Sequence, residues 1–380
     1  MTRCDVVIAG GGPAGSTCAW QLREAGLDVI VLDAASFPRD KVCAGWITPQ
    51  VVTELSLDVE EYRHGRTWQP IRGFRVGVID RDVEVASTYG MPVSYGIRRC
   101  EFDHYLLTRA AVRTCLGTAV TSIRKTGEDW IVNDAIRSPM LVGAGGQFCP
   151  VARLLNTVTP QAPPAPLVVA QEAEFAIDGD DSGSFTIEPD VPELFFSRDL
   201  KGYGWCFRKQ DYLNIGLGRQ DRRSLPTAMA AFVAFLQARR KIPSGRAWRW
   251  RGHAYALFGA PHRRVSDDGV VLIGDAAGVA YPQSGEGIRP AIESALLAAA
   301  TIVEADGRYT RGALARYEQR LRARLGESPL WGALSRIVPD GITASLSAPL
   351  LSSEAFVKHV VLDRWFLHRH EPALPGSARP

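Results

Sequence analysis

The chain has 380 residues, 46% hydrophobic and 22% charged, with a formal net charge of +3. That length supports a large core and two lobes, and so small a charge excludes bulk electrostatic attraction to nucleic acid. No run reaches about 18 uncharged apolar residues, which excludes a membrane-spanning helix. An apolar strand beginning by Asp5 leads us to expect no signal peptide. The seven cysteines, Cys4, Cys18, Cys43, Cys100, Cys115, Cys149 and Cys206, are scattered without a C-x-x-C pair. Reduced thiols, a cytoplasmic setting and no zinc are the expectation.

Residues 6–9 read as a buried strand and run straight into Gly10, Gly11, Gly12, Pro13, Ala14 and Gly15. A helix is predicted over 16–25 and a second apolar strand over 29–32, ending in Asp33. Gly10, Gly12 and Gly15 carry the G-x-G-x-x-G spacing of a dinucleotide fold. Gly10 allows the tight turn, Gly12 lets a pyrophosphate approach the backbone, and Gly15 lets helix and strand pack closely. The helix start, with Pro13 and Ala14, points free N–H groups at the phosphates. Asp33 would accept hydrogen bonds from ribose hydroxyls.

Residues 36–50 read as a polar loop containing Arg39, Lys41, Cys43, Ala44 and Gly45. A helix is expected over 101–114, with Arg99 before it as a pyrophosphate ligand and Asp103 as its cap. Strand pairs follow over 119–134. A strand from Met140 then enters Ala144, Gly145 and Gly146, a turn that can pass close to a cofactor. The Pro-rich stretch 160–166 reads as a crossover between lobes. Residues 168–218 alternate as an antiparallel sheet does, and 226–239 form a helix with Phe232, Phe235 and Leu236 inward.

The alternating Arg and Trp residues at 246–251 are expected as a strand with its arginines in solvent. A phosphate contact, to a lipid or to the NADPH 2′-phosphate, is the alternative; a nucleic-acid site is not expected. Residues 269–275 form a buried strand ending in Gly274 and Asp275. The loop through Gly285, Glu286, Gly287 and Ile288 then opens the Ala-rich helix 288–303. Such a helix end can stabilise negative charge on a reduced flavin, and Glu286 reads as a cap. His253, His262, His368 and His370 lack ligand spacing, so no metal role is assigned. Beyond 328, Trp331, Leu334, Ile337, Phe356, Val360 and Phe366 are expected to cover one end of a substrate tunnel. Residues 346–351 read as core, with a peripheral membrane contact as the alternative, and a disordered tail is expected from Glu371.

The nucleotide pieces are interrupted by strand-rich insertions. The expected class is α/β. A Rossmann-like lobe spans 1–65, 96–158 and 264–327. An inserted antiparallel-sheet substrate lobe spans 66–95 and 159–263, followed by a helical region (328–370) and the tail (371–380).

These motifs together resemble the flavoprotein superfamily of aromatic-hydroxylase fold and, within it, the geranylgeranyl reductase family. Pro38 to Gly45 is similar to the family's Pro-x-x-Lys-x-Cys-Gly loop, and Pro282 to Ile288 to its Pro-x-x-Gly-Glu-Gly-Ile. Tyr203 to Phe207, with Asn214 to Gly218, resembles its Tyr-x-Trp-x-Phe-Pro and Asn-x-Gly segments. Ala44, Gly145 and Arg208 depart from the pattern, where Gly, an acid and Pro are usual. A halogenase would want Trp-x-Trp-x-Ile-Pro, which Tyr203, Phe207 and Arg208 break.

The resemblance implies FAD, NADH or NADPH as donor, and reduction of C=C bonds in an isoprenoid or lipid-like substrate. An O₂-using monooxygenase is the first alternative and a non-catalytic flavin redox carrier the second. It also implies Cys43 beside the isoalloxazine, where Lys41 and Arg39 favour a thiolate. Proton donor, redox partner and pocket lining all stay open for it. Tyr203 and Trp205 are the other catalytic-end candidates, as tunnel lining or as core.

Overall fold

The computed structural model describes all residues except 157–166, 178–185, 245–247, 260–262, 327–348 and 375–380. The first-lobe sheet has six strands. Their order is Ser266–Asp267, Val270–Leu272, Met140–Gly143, Val6–Ala9, Val29–Asp33 and Arg113–Leu116. All neighbours are parallel except the first pair. Val6 to Ala9 are buried without alternation, as a strand covered on both faces must be. The helix Pro13–Glu24 packs against the helix Ile288–Ala305, and both contribute to the core of this lobe. A four-stranded sheet, Thr2–Arg3, Ile136–Ser138, Asp129–Val132 and Ile123–Thr126, lies beside it.

The second large sheet has seven strands. Their order is Arg251–Ala256, Leu167–Ala176, Tyr212–Arg219, Gly202–Lys209, Glu193–Phe196, Gly73–Val78 and Glu84–Thr88. Only Glu193–Phe196 and Gly73–Val78 pair in parallel. Side chains alternate between its faces. Phe195, Cys206 and Ile215 meet the helix Leu225–Ala238 through Met229, Phe232 and Leu236. Leu194, Trp205 and Phe207 meet Val357, Leu362 and Phe366 on the other face. Those last residues belong to a π-helix, Val357–Phe366. The parallel six-stranded sheet and the largely antiparallel seven-stranded one are the architecture the sequence predicted.

Several details differ from expectation. The helix at Arg99 runs Arg99–Ala110, because Ala111 turns into the left-handed region at φ 49° and Arg113–Leu116 becomes an edge strand. The loop 36–50 contains the strand Trp46–Ile47 and the start of the helix Pro49–Glu54. The expected strand over 246–251 begins only at Arg251, and 245–247 lie outside the described residues. So do the crossover at 160–166, His262, Trp331, Leu334, Ile337 and residues 346–348. The tail expected from Glu371 is packed at its start: Leu374 N donates to Glu54 Oε1 at 3.1 Å. Leu351 is buried in the core. All seven cysteines are free. Among the described residues no helix is long and apolar enough to cross a membrane.

Candidate active site

One cavity of about 680 Å³ runs between the two large sheets. It is lined by every site residue named from the sequence except Gly15. Gly15 serves packing instead: a Cβ there would sit 1.8 Å from Gly10 O. Gly10, at φ +118°, lets the chain pass so near Ala144 that a Cβ would lie 2.3 Å from its carbonyl oxygen. Gly12 differs from both. It caps the helix Pro13–Glu24 with no side-chain bond, and a Cβ on it would meet only Arg39 Nη2, at 3.3 Å. The N–H groups at this helix start, the bare Gly12 and the Arg39 guanidinium form a cradle for an anion.

Arg99 lines the same cavity. It is drawn into a bidentate pair with Asp103, at 2.7 and 2.8 Å, both side chains being buried. Asp103 is therefore an ion-pair partner and not a helix cap. Asp33 accepts from Gly11 N at 2.8 Å and Ala35 N at 2.9 Å, which fixes its carboxylate at the far end of the cavity.

At the other end the strand Val270–Leu272 leads to Gly274 and Asp275. Asp275 Oδ2 lies 3.2 Å from His253 Nε2, and the same nitrogen is 2.8 Å from Lys41 Nζ. Burial would raise the Asp275 carboxyl, but the His253 hydrogen bond and the Lys41 and Arg99 charges hold it down at about 2. Burial lowers both Lys41 and His253 from their ordinary values, so the imidazole is neutral at pH 7. The loop through Gly285 and Gly287 then enters the helix Ile288–Ala305, whose start Glu286 closes by accepting from Arg289 N at 2.8 Å.

Cys43 stands where these parts converge. Its thiol faces Arg99, Lys41, Tyr203 and Tyr255. Beyond it Trp46, Ala170, Tyr203 and Trp205 wall the apolar end. Phe366 packs behind Tyr203 at 5.2 Å between ring centroids. Tyr203 Oη donates to Ser284 O at 2.6 Å, tying the antiparallel sheet to the Gly285 loop. Trp205 Nε1 donates to Asn214 Oδ1 at 2.7 Å. Its ring lies over Gly216, where a Cβ would come within 2.2 Å.

The sequence did not single out Trp46, Ala170, His253 and Tyr255 as cavity residues. The last two had a signal: His253 and Tyr255 are two apart on one strand and so share a face. Glu172 was also missed. Its Oε2 accepts from Cys43 N at 2.6 Å, and its burial raises the carboxyl from 4.5 to about 7. A raised carboxyl binds its proton more tightly in the folded state. Its contribution to stability is thus complete below about pH 4.5 and lost as pH rises through about 7, up to about 3 kcal/mol. Denaturant unfolding at a series of pH values should show this fall in the wild type. The fall should be smaller by that amount in Glu172→Gln, the remainder coming from other raised carboxyls such as Glu54.

Comparison with known proteins agrees with this geometry. Residues 5–88 match the family described as FAD dependent oxidoreductase. A menaquinone reductase of Mycolicibacterium smegmatis is 30% identical over 78% of this chain and 76% of its own length. A digeranylgeranylglycerophospholipid reductase of Methanothrix thermoacetophila is 29% identical over 86% of this chain and 84% of its own. Among solved structures, a geranylgeranyl bacteriochlorophyll reductase-like protein of Thermoplasma acidophilum superposes with a TM-score of 0.76 at 19% identity. That superposition covers 97% of this chain and 98% of the other. The chain is an FAD-dependent oxidoreductase and belongs to the geranylgeranyl reductase family.

Proposed function

We propose that this enzyme uses NADH or NADPH, through FAD, to saturate C=C bonds of an isoprenoid chain carried on a lipid or quinone. The observation that carries the reading is the aromatic end of the cavity, walled by Trp46, Tyr203 and Trp205 and opening on Cys43. The names of the relatives, a menaquinone reductase and a digeranylgeranylglycerophospholipid reductase, support a prenyl chain as the substrate class.

The residues fit FAD. Gly12 offers the bare backbone that a pyrophosphate needs, with the helix start and Arg39 around it. Asp33 would hold the ribose, and the Ala144 to Gly146 turn lies alongside. Asp275 would accept from a ribityl hydroxyl, and residues 285–288 would meet the isoalloxazine. When bound, FAD supplies two-electron redox chemistry. The chain's own residues do the rest. Tyr203, Trp205 and Trp46 exclude water and align an apolar chain. Cys43 Sγ holds a proton at the junction between the cofactor residues and the apolar end.

The reading is tested by turnover under argon with FAD-loaded enzyme, NADPH or NADH, and a prenylated quinone or a geranylgeranylated glycerolipid. The expected product is heavier by two hydrogens per reduced bond. Turnover that requires O₂ would overturn the reading in favour of a monooxygenase, and a tightly held flavin with no turnover in favour of a carrier. Gly12→Val should fold, since its new side chain meets only Arg39, yet purify without flavin absorbance; a yellow Gly12→Val protein contradicts the seat assigned to the pyrophosphate. Cys43→Ser should keep FAD and its reduction by the nicotinamide. Substrate-dependent reoxidation should slow by about a hundredfold or more, and an unchanged rate reduces Cys43 to lining.

A further inference from the structure

We propose that His368, His370 and Glu371 form a binding site for a divalent transition-metal ion of the zinc class. His368 is only 6% exposed, and neither ring nitrogen has a hydrogen-bond partner. A buried imidazole normally satisfies at least one nitrogen, because leaving both desolvated is costly. Its Nδ1 lies 3.6 Å from Glu371 Oε1, outside hydrogen-bond range. The exposed His370 brings Nε2 to 3.7 Å from the same oxygen. One donor atom from each residue falls within 4.8 Å of the others.

These separations suit a metal better than they suit hydrogen bonds. Two of the three donor separations are 3.6 and 3.7 Å and the third is within 4.8 Å; edges near 3.6 Å put the centre of a tetrahedron about 2.2 Å from each corner, close to zinc–nitrogen and zinc–oxygen bond lengths. Two imidazoles and one carboxylate favour zinc, copper or nickel over calcium or magnesium, which prefer all-oxygen shells. Three protein donors leave a fourth position for water.

The turn that presents the donors is held from outside them. Tyr281 stacks on the His368 ring at 3.6 Å between centroids and donates through Oη to Glu371 Oε2 at 3.3 Å. The buried Arg289 donates to the carbonyls of His368, Glu371 and Pro372, at 3.2, 3.0 and 3.1 Å. Its own charge is balanced by Glu293, 2.9 Å away. Orientation of ligands by such outer partners is what a metal site requires.

The test is equilibrium dialysis of the FAD-loaded full chain against micromolar Zn²⁺, with bound metal counted by atomic emission. Wild type should take up one Zn²⁺ that excess Mg²⁺ does not displace. His370→Ala and Glu371→Gln should each weaken that uptake by at least about tenfold, since even outer-shell partners are worth about ten- to a hundredfold. Flavin content and far-ultraviolet dichroism should stay unchanged in both. Co²⁺ added to the wild type should give the visible bands of a low-symmetry four-coordinate site. Absence of both Zn²⁺ uptake and those bands in the wild type overturns the proposal. Uptake that both variants retain in full overturns it as well.

Discussion

Charge has to be buried where the two large sheets meet, and pairing that charge is what holds the cavity in shape. Asp275, Lys41 and His253 form one chain of contacts across the seam, and Asp103, paired with Arg99 on its own helix and with Arg39 at 3.4 Å, forms a second set. Glu174, Lys209 and Arg98 form a third, in which Lys209 is wholly buried and donates to Glu174 at 2.8 Å. Removing one member of such a set leaves its partner desolvated and alone, which costs more than the pair itself contributes. The loop of Arg39, Lys41 and Cys43 reaches the first two sets through Lys41 to His253 and Arg39 to Asp103, and the third through Asn214, which donates to both Cys43 O and Glu174 Oε2.

The nucleotide half was legible in the sequence because its signals are local. Glycine spacing, a following helix and an acid at the end of the next strand all lie within the first 33 residues, and the backbone follows them directly. The apolar end was legible only in part. Tyr203 and Trp205 stand on a strand with clear alternation, whereas Trp46 lies in what reads as polar loop, and Ala170 has no chemical signature. Glu172 could not be found from spacing. Its importance comes from meeting Cys43 N across 129 positions, a long-range contact that one sequence does not encode visibly. At Arg99 the sequence suggests a phosphate ligand but does not display the pairing with the acid four residues on.

Arg289 links the end of the chain to the cofactor side of the molecule. It belongs to the first turn of the helix Ile288–Ala305, next to the loop that lines the cavity. Its guanidinium has no exposure and lies between Glu293, Glu54 and three backbone carbonyls of the C-terminal turn. Burial and the neighbouring Glu293 raise the Glu54 carboxyl against the pull of Arg289, and Arg324 joins the same cluster, 2.6 Å from Glu293. The C-terminal turn is thereby fastened to the same helix end that faces the cavity.

Gly216 has a consequence for how such a pocket can diversify. It does not line the cavity, yet its missing side chain is what allows the Trp205 indole to lie down on the neighbouring strand. A single methyl added there would meet both the indole and the Gln171 carbonyl oxygen, 2.7 Å away, so side chain and strand would both have to shift. The shape of the cavity's aromatic end is therefore set in part at a position that does not line it.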